Sequence, residues 1–186
     1  QVHCDAQIRF HSPYADVTEF IERVVRAFAA AAPPDTRLVV KHHPHDRAYR
    51  DYTDLLARLG RDAGCADRIV YVHDLHLPTL LKRARGTVTV NSTVGTSSLY
   101  HGTPVKVLGR AVYDIPGLTF RGSLEAFFAD PGEVDGELFA AFCKWLRYHN
   151  QINGSFYRRL PGVETPTGMT APARPDESVP AVRRAV

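Results

Sequence analysis

Short apolar runs alternate with amphipathic segments along most of the chain, and this alternation restricts the fold more than any other feature. The apolar runs are RLVVKH (37–42), RIVYVHD (68–74), GTVTVN (86–91) and PVKVLG (104–109). Runs of this length, bounded by turn-forming residues, are typical of buried strands. Apolar strands separated by helices are typical of a parallel sheet covered on both faces. We therefore predict a Rossmann-like α/β fold with helices on both faces of the sheet.

Helices are predicted between and after the strands. Asp16 and Glu19 have the spacing of a capping box at the start of the first helix, and Gly64 is suited to end the second. In the last segment, aromatic residues at near-helical spacing favour a helix that packs on the core or on a partner domain. The predicted helices cover residues 17–28, 49–64, 77–84, 94–100 and 138–159.

Composition places the chain among soluble globular proteins. Its 186 residues are 44% hydrophobic and 23% charged, with a net charge of +3 that excludes nine histidines. No apolar stretch approaches the roughly 20 residues of a membrane span, and the sequence does not open with a basic start and an apolar middle, so we expect neither a membrane span nor a secretory signal. Cys4, Cys65 and Cys143 are widely spaced, which fits a reducing compartment. We expect a cytoplasmic protein, and the mild basic bias suits anionic ligands or surfaces without favouring nucleic acid.

The folded part is expected to end before the carboxyl terminus. Residues 161–186 are rich in proline and poor in large apolar side chains, so we predict a folded domain over residues 1–160 and a disordered tail after it. Because the chain starts with QVHCD and has no initiator methionine, we expect it to be a fragment of a longer protein.

Polar groups follow the predicted strands, and NSTVGTSSLY (91–100) is the most informative of these segments. Ser92 and Thr93 lie at a strand-to-helix turn, with Gly95 opening the helix. Backbone amides at such a turn attract an anion, and the two hydroxyls add donors. The turn lacks the P-loop lysine and the GxGxxG pattern, which argues against an ATPase and an NAD enzyme. It is interpreted as a phosphate cradle or, alternatively, as a simple helix cap.

Three histidines follow the first strand in KHHPHD (41–46). Alternate residues of a strand face the same way, so Lys41 and His43 are expected to point together, with Pro44 fixing the turn behind them. A lysine beside an imidazole suits a phosphate. His42 is interpreted as buried and hydrogen-bonded, and His45 as a solvated loop residue. Their spacing is poor for zinc unless His73 and His76 contribute, so a metal-dependent hydrolase is the weakest alternative.

Four segments together resemble one protein family. QVHCDAQIRFHSPY, KHHPHDRAYRDY, YVHDLHLPTLL and VTVNSTVGTSSLYHGTPVKVLGRAVYDIPGLT are similar to the carboxyl-terminal half of bacterial capsular polysaccharide biosynthesis proteins. More narrowly, they resemble retaining β-Kdo glycosyltransferases of the KpsS/LipB type. The resemblance covers about residues 1–128, with the segments in the order of the family.

The resemblance implies the nucleotide-binding half of a GT-B glycosyltransferase. The donor would be CMP-Kdo, the acceptor a lysophospholipid or glycolipid at the cytoplasmic face of the inner membrane, and no metal or other cofactor would be needed. The amino-terminal acceptor domain would lie outside this chain, so the chain alone is expected to be inactive. Other capsule biosynthesis and export proteins are the implied partners. A non-catalytic nucleotide-sugar-binding or capsule-assembly protein of the same fold is the alternative.

The family's site residues carry over to matching positions. Gln1 and Asp5 match its Q-x-x-x-D stretch, which makes Asp5 the carboxylate assigned to catalysis, as a nucleophile or as an acid/base. The alternative is that Asp5 is a turn aspartate that makes a local hydrogen bond. His43 and Pro44 match the His-Pro motif that holds the CMP phosphate. The paired hydroxyls on the same phosphate match Ser92 and Thr93.

Further donor-site candidates come from the same strand ends. Lys41 and the amide of Gly95 would help to stabilise the charge that develops on the leaving CMP. Tyr113 and Asp114, in VYDIPGLT, are predicted to line the nucleotide or sugar pocket or, alternatively, to belong to a turn built on Pro116 and Gly117. His76, near the start of its helix, is the last candidate.

Overall fold

A computed structural model describes residues 5–43, 46 and 50–150 of the chain. Helices and short strands alternate along it, as the sequence predicts. In chain order the elements are α1 (Ala6–His11), α2 (Val17–Ala31), β1 (Leu38–Lys41), α3 (Thr53–Asp62), a 3₁₀ turn (Ala66–Arg68), β2 (Ile69–Val72), α4 (Leu77–Arg83), β3 (Thr87–Thr89), α5 (Val94–Tyr100), β4 (Val105–Val107), α6 (Leu124–Ala129) and α7 (Gly136–Asn150).

The strands pair in parallel. In the first pair, Leu38 of β1 lies opposite Ile69 of β2. In the second pair, Thr87 of β3 lies opposite Val105 of β4. The predicted Rossmann-like α/β class is confirmed. Among the described residues the sheet consists of two hydrogen-bonded pairs, β1 with β2 and β3 with β4.

Helix α2 organises the core. Asp16 caps it by accepting a hydrogen bond from the Thr18 amide at 2.8 Å, and Glu19 accepts one from the Ala15 amide at 3.0 Å. The buried face of α2 packs in one cluster with side chains of α1, α3 and the strands; its buried members are Ile8, Val17, Ile21, Val25, Phe28, Tyr52, Leu56, Leu59, Cys65 and Val90. Burying one large apolar side chain contributes about 1.5–3 kcal/mol, so this cluster supplies much of the stability.

The predicted element boundaries hold to within a few residues. Gly64 ends α3 with φ +67°, the left-handed conformation that favours glycine. The start of α3 is at Thr53, after the predicted start, and Tyr49 lies outside the described residues. Helices α1 and α6 were not predicted, because six residues show no clear helical period.

Packing divides the chain into two units, Gln1–Gly136 and Glu137–Val186. In the second unit, α7 ends at Asn150, with Phe139 and Phe142 buried. It matches the beginning of the helix predicted over 138–159, and the remainder of that helix lies outside the described residues. The predicted tail, 161–186, also lies outside them. No helix in the part of the chain that the structure describes is both long and apolar enough to cross a membrane.

Candidate functional site

Asp5 stands at the start of α1. Its Oδ1 accepts a hydrogen bond from the Gln7 amide at 2.9 Å, and its carbonyl accepts from the amides of Ile8 and Arg9 at 3.0 and 3.3 Å. The carboxylate therefore caps the helix, which is the local bond expected of a turn aspartate. One carboxylate oxygen accepts several hydrogen bonds, so this cap leaves acceptor capacity for a ligand.

The helix that carries Asp5 is fastened to the carboxyl ends of β3 and β4. Asn91 Nδ2 donates to the carbonyls of Gln7 and His11 at 3.0 and 3.2 Å, and the Arg110 amide donates to His11 at 2.8 Å. Gly109 permits this approach, because a Cβ there would lie 2.9 Å from the His11 carbonyl oxygen. These contacts hold Asp5 at the strand ends where ligands bind in open α/β sheets.

Ser92 and Thr93 occupy the turn between β3 and α5, as predicted. The Ser92 Oγ accepts a hydrogen bond from the Val94 amide at 3.2 Å, so its own O–H remains able to donate. Thr93 is the exposed N-cap residue, and its side chain makes no capping bond. The turn thus combines one partly engaged hydroxyl with one solvent-facing hydroxyl, which is compatible with both the phosphate cradle and the helix cap.

Gly95 and Tyr113 pack together on the buried side of this turn. The Gly95 amide donates to the Ser92 carbonyl at 3.0 Å, a bond within the turn. The Tyr113 ring fills the space where a Gly95 side chain would be, and the Tyr113 hydroxyl donates to the same carbonyl. Tyr113 is 2% exposed, and burial raises the pKa of its hydroxyl, so it acts as a neutral donor. The structure therefore gives Tyr113 a supporting contact to Ser92.

Asp114 belongs to the turn after β4. Its Oδ1 accepts from the Thr119 hydroxyl at 2.6 Å and lies 3.4 Å from a guanidinium nitrogen of Arg121. Gly117, with φ +83°, provides the turn's left-handed position. These contacts match the alternative that this segment is built as a turn, and the Asp114 carboxylate stabilises it.

Lys41 and His43 lie at the carboxyl end of β1. The Lys41 ammonium donates to the carbonyls of His42 and His73 at 3.3 and 3.4 Å, so it bridges the ends of β1 and β2. His43 is half-buried, and its carbonyl accepts from the Asp46 amide at 3.0 Å. Both side chains are therefore at the strand end that the sequence predicted.

His42 is the buried histidine of the segment, as expected. Its Nδ1 is hydrogen-bonded to the Tyr71 hydroxyl, its Nε2 lies 3.8 Å from Asp46 Oδ2, and its ring stacks on His73 with centroids 4.7 Å apart. Burial lowers the pKa of His42 against the opposing effect of the Asp46 carboxylate. A neutral imidazole thus anchors the strand end that carries His43.

Of the other predicted residues, His76 is exposed at the N-cap of α4, with Nδ1 2.9 Å from the Thr79 hydroxyl. This bond lies at the start of α4, and no hydrogen bond between described residues connects His76 with the turn after β3. Gln1 and Pro44 lie outside the described residues, as does His45, which was expected in a solvated loop.

The sequence analysis did not predict the contacts by which Asn91, Tyr71 and Asp46 support the site. Asn91 was visible only as a polar residue ending a strand, and its partners lie 84 and 80 residues away. Tyr71 and Asp46 were likewise not assigned to His42. A tyrosine at an inward position of β2 was an available signal, but the pairing register was needed to place it beside β1.

The described residues contain no group of three or more His, Cys, Asp or Glu side chains arranged to hold a metal ion. Four of the predicted residues lie at the strand ends and offer hydrogen-bond donors or positive charge. They are Ser92 and Thr93 with their hydroxyls, His43 with its imidazole and Lys41 with its ammonium. Such groups suit a phosphate or another anionic oxygen ligand.

Comparisons with known proteins identify relatives over most of the chain. The family model described as capsule polysaccharide biosynthesis protein matches residues 1–157. The capsule polysaccharide export protein KpsS of Escherichia coli is 46% identical over 157 residues, which are 84% of this chain and 40% of that protein. The capsule polysaccharide modification protein LipB of Neisseria meningitidis serogroup A is 44% identical over 161 residues, 86% of this chain and 38% of that protein.

A more distant relative, the protein FixF of Sinorhizobium fredii, is 31% identical over 177 residues, 92% of this chain and 40% of that protein. The chain thus spans about two fifths of the length of the curated relatives it matches. No solved structure matches it. Because the family model covers most of the residues and the relatives preserve nearly half of them, the chain belongs to the capsule polysaccharide biosynthesis protein family.

Proposed function

We propose that the full-length protein is a retaining glycosyltransferase of capsule biosynthesis that transfers Kdo from CMP-Kdo to a lysophospholipid or glycolipid acceptor. This chain would supply the nucleotide-sugar-binding half of a GT-B enzyme, and the acceptor half would come from residues outside it. Family membership supports the capsule role, and the resemblance to β-Kdo transferases is the basis for the finer reaction. The protein would act at the cytoplasmic face of the inner membrane, together with other capsule proteins.

The observation that carries the proposal is the attachment of α1 to the strand ends. Through Asn91, the helix that begins after Asp5 is held beside the carboxyl end of β3, and Asn91 is followed directly by Ser92 and Thr93. A carboxylate and a phosphate-binding turn on adjacent segments are what a donor site requires. One group must act at the sugar carbon while the other stabilises the leaving phosphate.

The proposed chemistry follows from the charges involved. Cleavage of the bond between Kdo and the CMP phosphate leaves negative charge on CMP. Donors from Ser92, Thr93 and His43, with the Lys41 ammonium nearby, would stabilise that charge without reorganising during the reaction. Asp5 is proposed as the carboxylate at the anomeric carbon. Retention requires either a double displacement with Asp5 as nucleophile or a route in which it acts as acid/base.

The first test is calorimetric titration of CMP into the full-length protein, with UMP and AMP as competitors and a chelator throughout. We expect selective CMP binding, weakened about 10- to 100-fold by His43→Ala, because a hydrogen bond to a charged group contributes about 1.5–3 kcal/mol. His101→Ala is the matched control, since His101 lies at the opposite end of α5 from the Ser92 turn. A folded protein that binds none of these nucleotides would contradict the proposal.

The second test separates binding from catalysis. Asp5→Asn keeps the size of the side chain and an acceptor oxygen for the helix cap, but removes the carboxylate charge. We expect CMP binding within about twofold of wild type, and transfer from CMP-Kdo to decrease at least about 10³-fold, as for loss of an essential nucleophile or acid/base.

A second candidate function is a non-catalytic nucleotide-sugar-binding role in capsule export or assembly. The name of the Escherichia coli relative, capsule polysaccharide export protein KpsS, favours it. Under this alternative, Asp5→Asn would leave the role of the full-length protein in capsule export or assembly unchanged. The metal-dependent hydrolase has no comparable support, and metal analysis of the purified full-length protein tests it directly.

A further inference from the structure

Arg110, the residue after Gly109 at the carboxyl end of β4, is held between α1 and the turn after β3. The Gly109 amide donates to the Val90 carbonyl at 2.8 Å, so the chain that leaves β4 still runs beside the chain that leaves β3. The Arg110 amide donates to the His11 carbonyl at 2.8 Å, and the same carbonyl accepts from Asn91 Nδ2 at 3.2 Å. Because both donors meet one oxygen, the Arg110 backbone lies close to the Asn91 side chain, one residue before the proposed phosphate-binding turn.

The Arg110 side chain is available to a ligand. It is exposed, and its guanidinium makes no hydrogen bond or ion pair with any residue that the structure describes. By contrast, Arg121, in the same loop between β4 and α6, lies 3.4 Å from Asp114 Oδ1. The N–H donors of Arg110 can therefore bind an anion that the described residues do not supply.

The position of Arg110 relative to Asp5 follows from the length of α1. A helix rises about 1.5 Å per residue, so His11 lies about 9 Å along the helix axis from Asp5. An arginine side chain extended from the His11 end covers much of this distance. A ligand held between Asp5 and the turn after β3 is therefore within reach of the Arg110 guanidinium.

The chemistry of the proposed donor provides an anion at this place, and this step rests on the proposed function. Kdo is a sugar acid, and its anomeric carbon carries both the bond to the CMP phosphate and a carboxylate. With the phosphate at Ser92 and Thr93 and the anomeric carbon facing Asp5, the sugar carboxylate would lie between α1 and the turn after β3. It would repel the Asp5 carboxylate unless a cation were close to both.

Arginine is well suited to bind this carboxylate. Its planar guanidinium binds a carboxylate through two parallel hydrogen bonds, and it stays charged at any physiological pH. Lys41, the other cation assigned to the site, follows a different course, because its ammonium already donates to two backbone carbonyls at the ends of β1 and β2. The groups assigned so far act on the phosphate and on the anomeric carbon, and Arg110 adds a group for the sugar carboxylate.

We propose that Arg110 binds the carboxylate of the donor sugar and makes the site specific for an acidic sugar over a neutral one. The guanidinium holds the sugar with its anomeric carbon between Asp5 and the turn after β3, and it offsets the repulsion between the two carboxylates. The CMP phosphate is the second anion that the same guanidinium can reach. A comparison of CMP, which lacks the sugar carboxylate, with CMP-Kdo separates the two.

Donor binding to the full-length protein tests this proposal. It is measured without acceptor, using freshly prepared CMP-Kdo and an Asp5→Asn parent, which is not expected to consume the donor. We expect Arg110→Gln in this parent to weaken CMP-Kdo binding about 10- to 100-fold, as for loss of hydrogen bonds to a charged group, and to leave CMP binding within about twofold. Arg110→Lys keeps the charge without the planar fork, so its effect on CMP-Kdo should be smaller.

Arg85→Gln is the matched control and should change neither affinity. Arg85 is also exposed and without an ion pair to a described residue, but it precedes β3 and so lies at the opposite end of the strand. The bond from the Arg110 amide to His11 remains in every variant, and an equal urea midpoint checks that each variant folds like the parent.

The outcomes separate this proposal from the proposed function. Equal weakening of CMP and CMP-Kdo by Arg110→Gln would assign the guanidinium to the phosphate and overturn the proposal. Unchanged affinity for both would overturn it as well. In either case the parent protein still binds the donor, so the proposed function stands. A folded parent that binds neither CMP nor CMP-Kdo would overturn the proposed function and this proposal together.

Discussion

Replacement of Gly95 by alanine tests whether the turn after β3 is supported from below by Tyr113. A Cβ at Gly95 would lie 2.5 and 2.6 Å from the Cζ and Cε2 atoms of Tyr113 and closer still to its hydroxyl oxygen. Ordinary contact begins near 3.4 Å, so the ring would have to retreat by 0.9 Å, the difference between 3.4 and 2.5 Å. Tyr113 is 2% exposed, which leaves it little space to move.

The expected loss follows from three contributions. Overpacking a close-packed region costs about 1–3 kcal/mol. Displacing the Tyr113 hydroxyl from the Ser92 carbonyl leaves that buried hydroxyl unpaired, which costs about 1–3 kcal/mol. Alanine recovers about 1 kcal/mol of helix propensity. We therefore expect Gly95→Ala to lower the free energy of unfolding by about 1–5 kcal/mol.

Urea unfolding of the chain, followed by circular dichroism at 222 nm, measures this loss. With a slope of about 2 kcal/mol per molar urea, in the middle of the typical range, the midpoint should decrease by about 0.5–2.5 M. Gly136→Ala is the matched control, because Gly136 also begins a helix, but no atom of the described residues outside its own helix lies within 4 Å of the added Cβ. This control should be neutral or slightly stabilising.

A second variant isolates the cause. In a Tyr113→Leu background the added methyl group meets a smaller side chain, so Gly95→Ala should cost less there than in the wild type. If Gly95→Ala leaves the midpoint unchanged or raises it, the packing argument is refuted. If it costs the same in both backgrounds, Tyr113 is not the group that requires glycine.

Three further outcomes are expected. Asp16→Ala should lower the free energy of unfolding by about 1–2 kcal/mol in urea titration, because the helix cap and the 2.6 Å ion pair with Arg50 are lost. Asp16→Asn should retain most of the cap, so equal losses in the two variants would contradict this explanation. Asn91→Ala should accelerate amide exchange across α1 at least about tenfold, since its two anchoring bonds disappear; unchanged exchange would show that they do not hold the helix. Burial lowers the pKa of His42 in the folded state, so the unfolded chain takes up that proton first, near its ordinary pKa of about 6.5. The free energy of unfolding should therefore decrease as pH falls below about 6.5. This decrease should be smaller in His42→Gln than in the wild type, and unchanged in His101→Ala. Equal pH profiles for His42→Gln and the wild type would contradict the role of His42.

Much of the fold could be predicted because it is encoded locally. The apolar residues of Val17 to Phe28 recur at helical spacing, and Asp16 caps them as predicted. Gly64 ends α3 because a left-handed residue is needed there and glycine adopts it without strain. Helix α1 was not predicted, because it is not encoded locally. It has six residues and one buried side chain, Ile8, so it depends on contacts made far along the chain.

The positions of several residues of the candidate site could also be predicted from local sequence. The sequence alone placed Lys41, His43, Ser92 and Thr93 at strand ends, because parallel α/β sheets leave polar groups there. The interpretation of His42 as a buried, hydrogen-bonded residue is confirmed. The roles of these residues as ligands of a phosphate stay predictions, as does that of Asp5.

Only the tertiary structure decided what supports the site. Asn91 reaches α1 across more than 80 residues of sequence, Tyr113 fills the space beside Gly95, and Tyr71 meets His42 through the register of β1 and β2. A local pattern records the preference of a segment for helix or strand. Which distant side chain fills a neighbouring space depends on how all the segments pack at once, because close-packed interiors admit few arrangements.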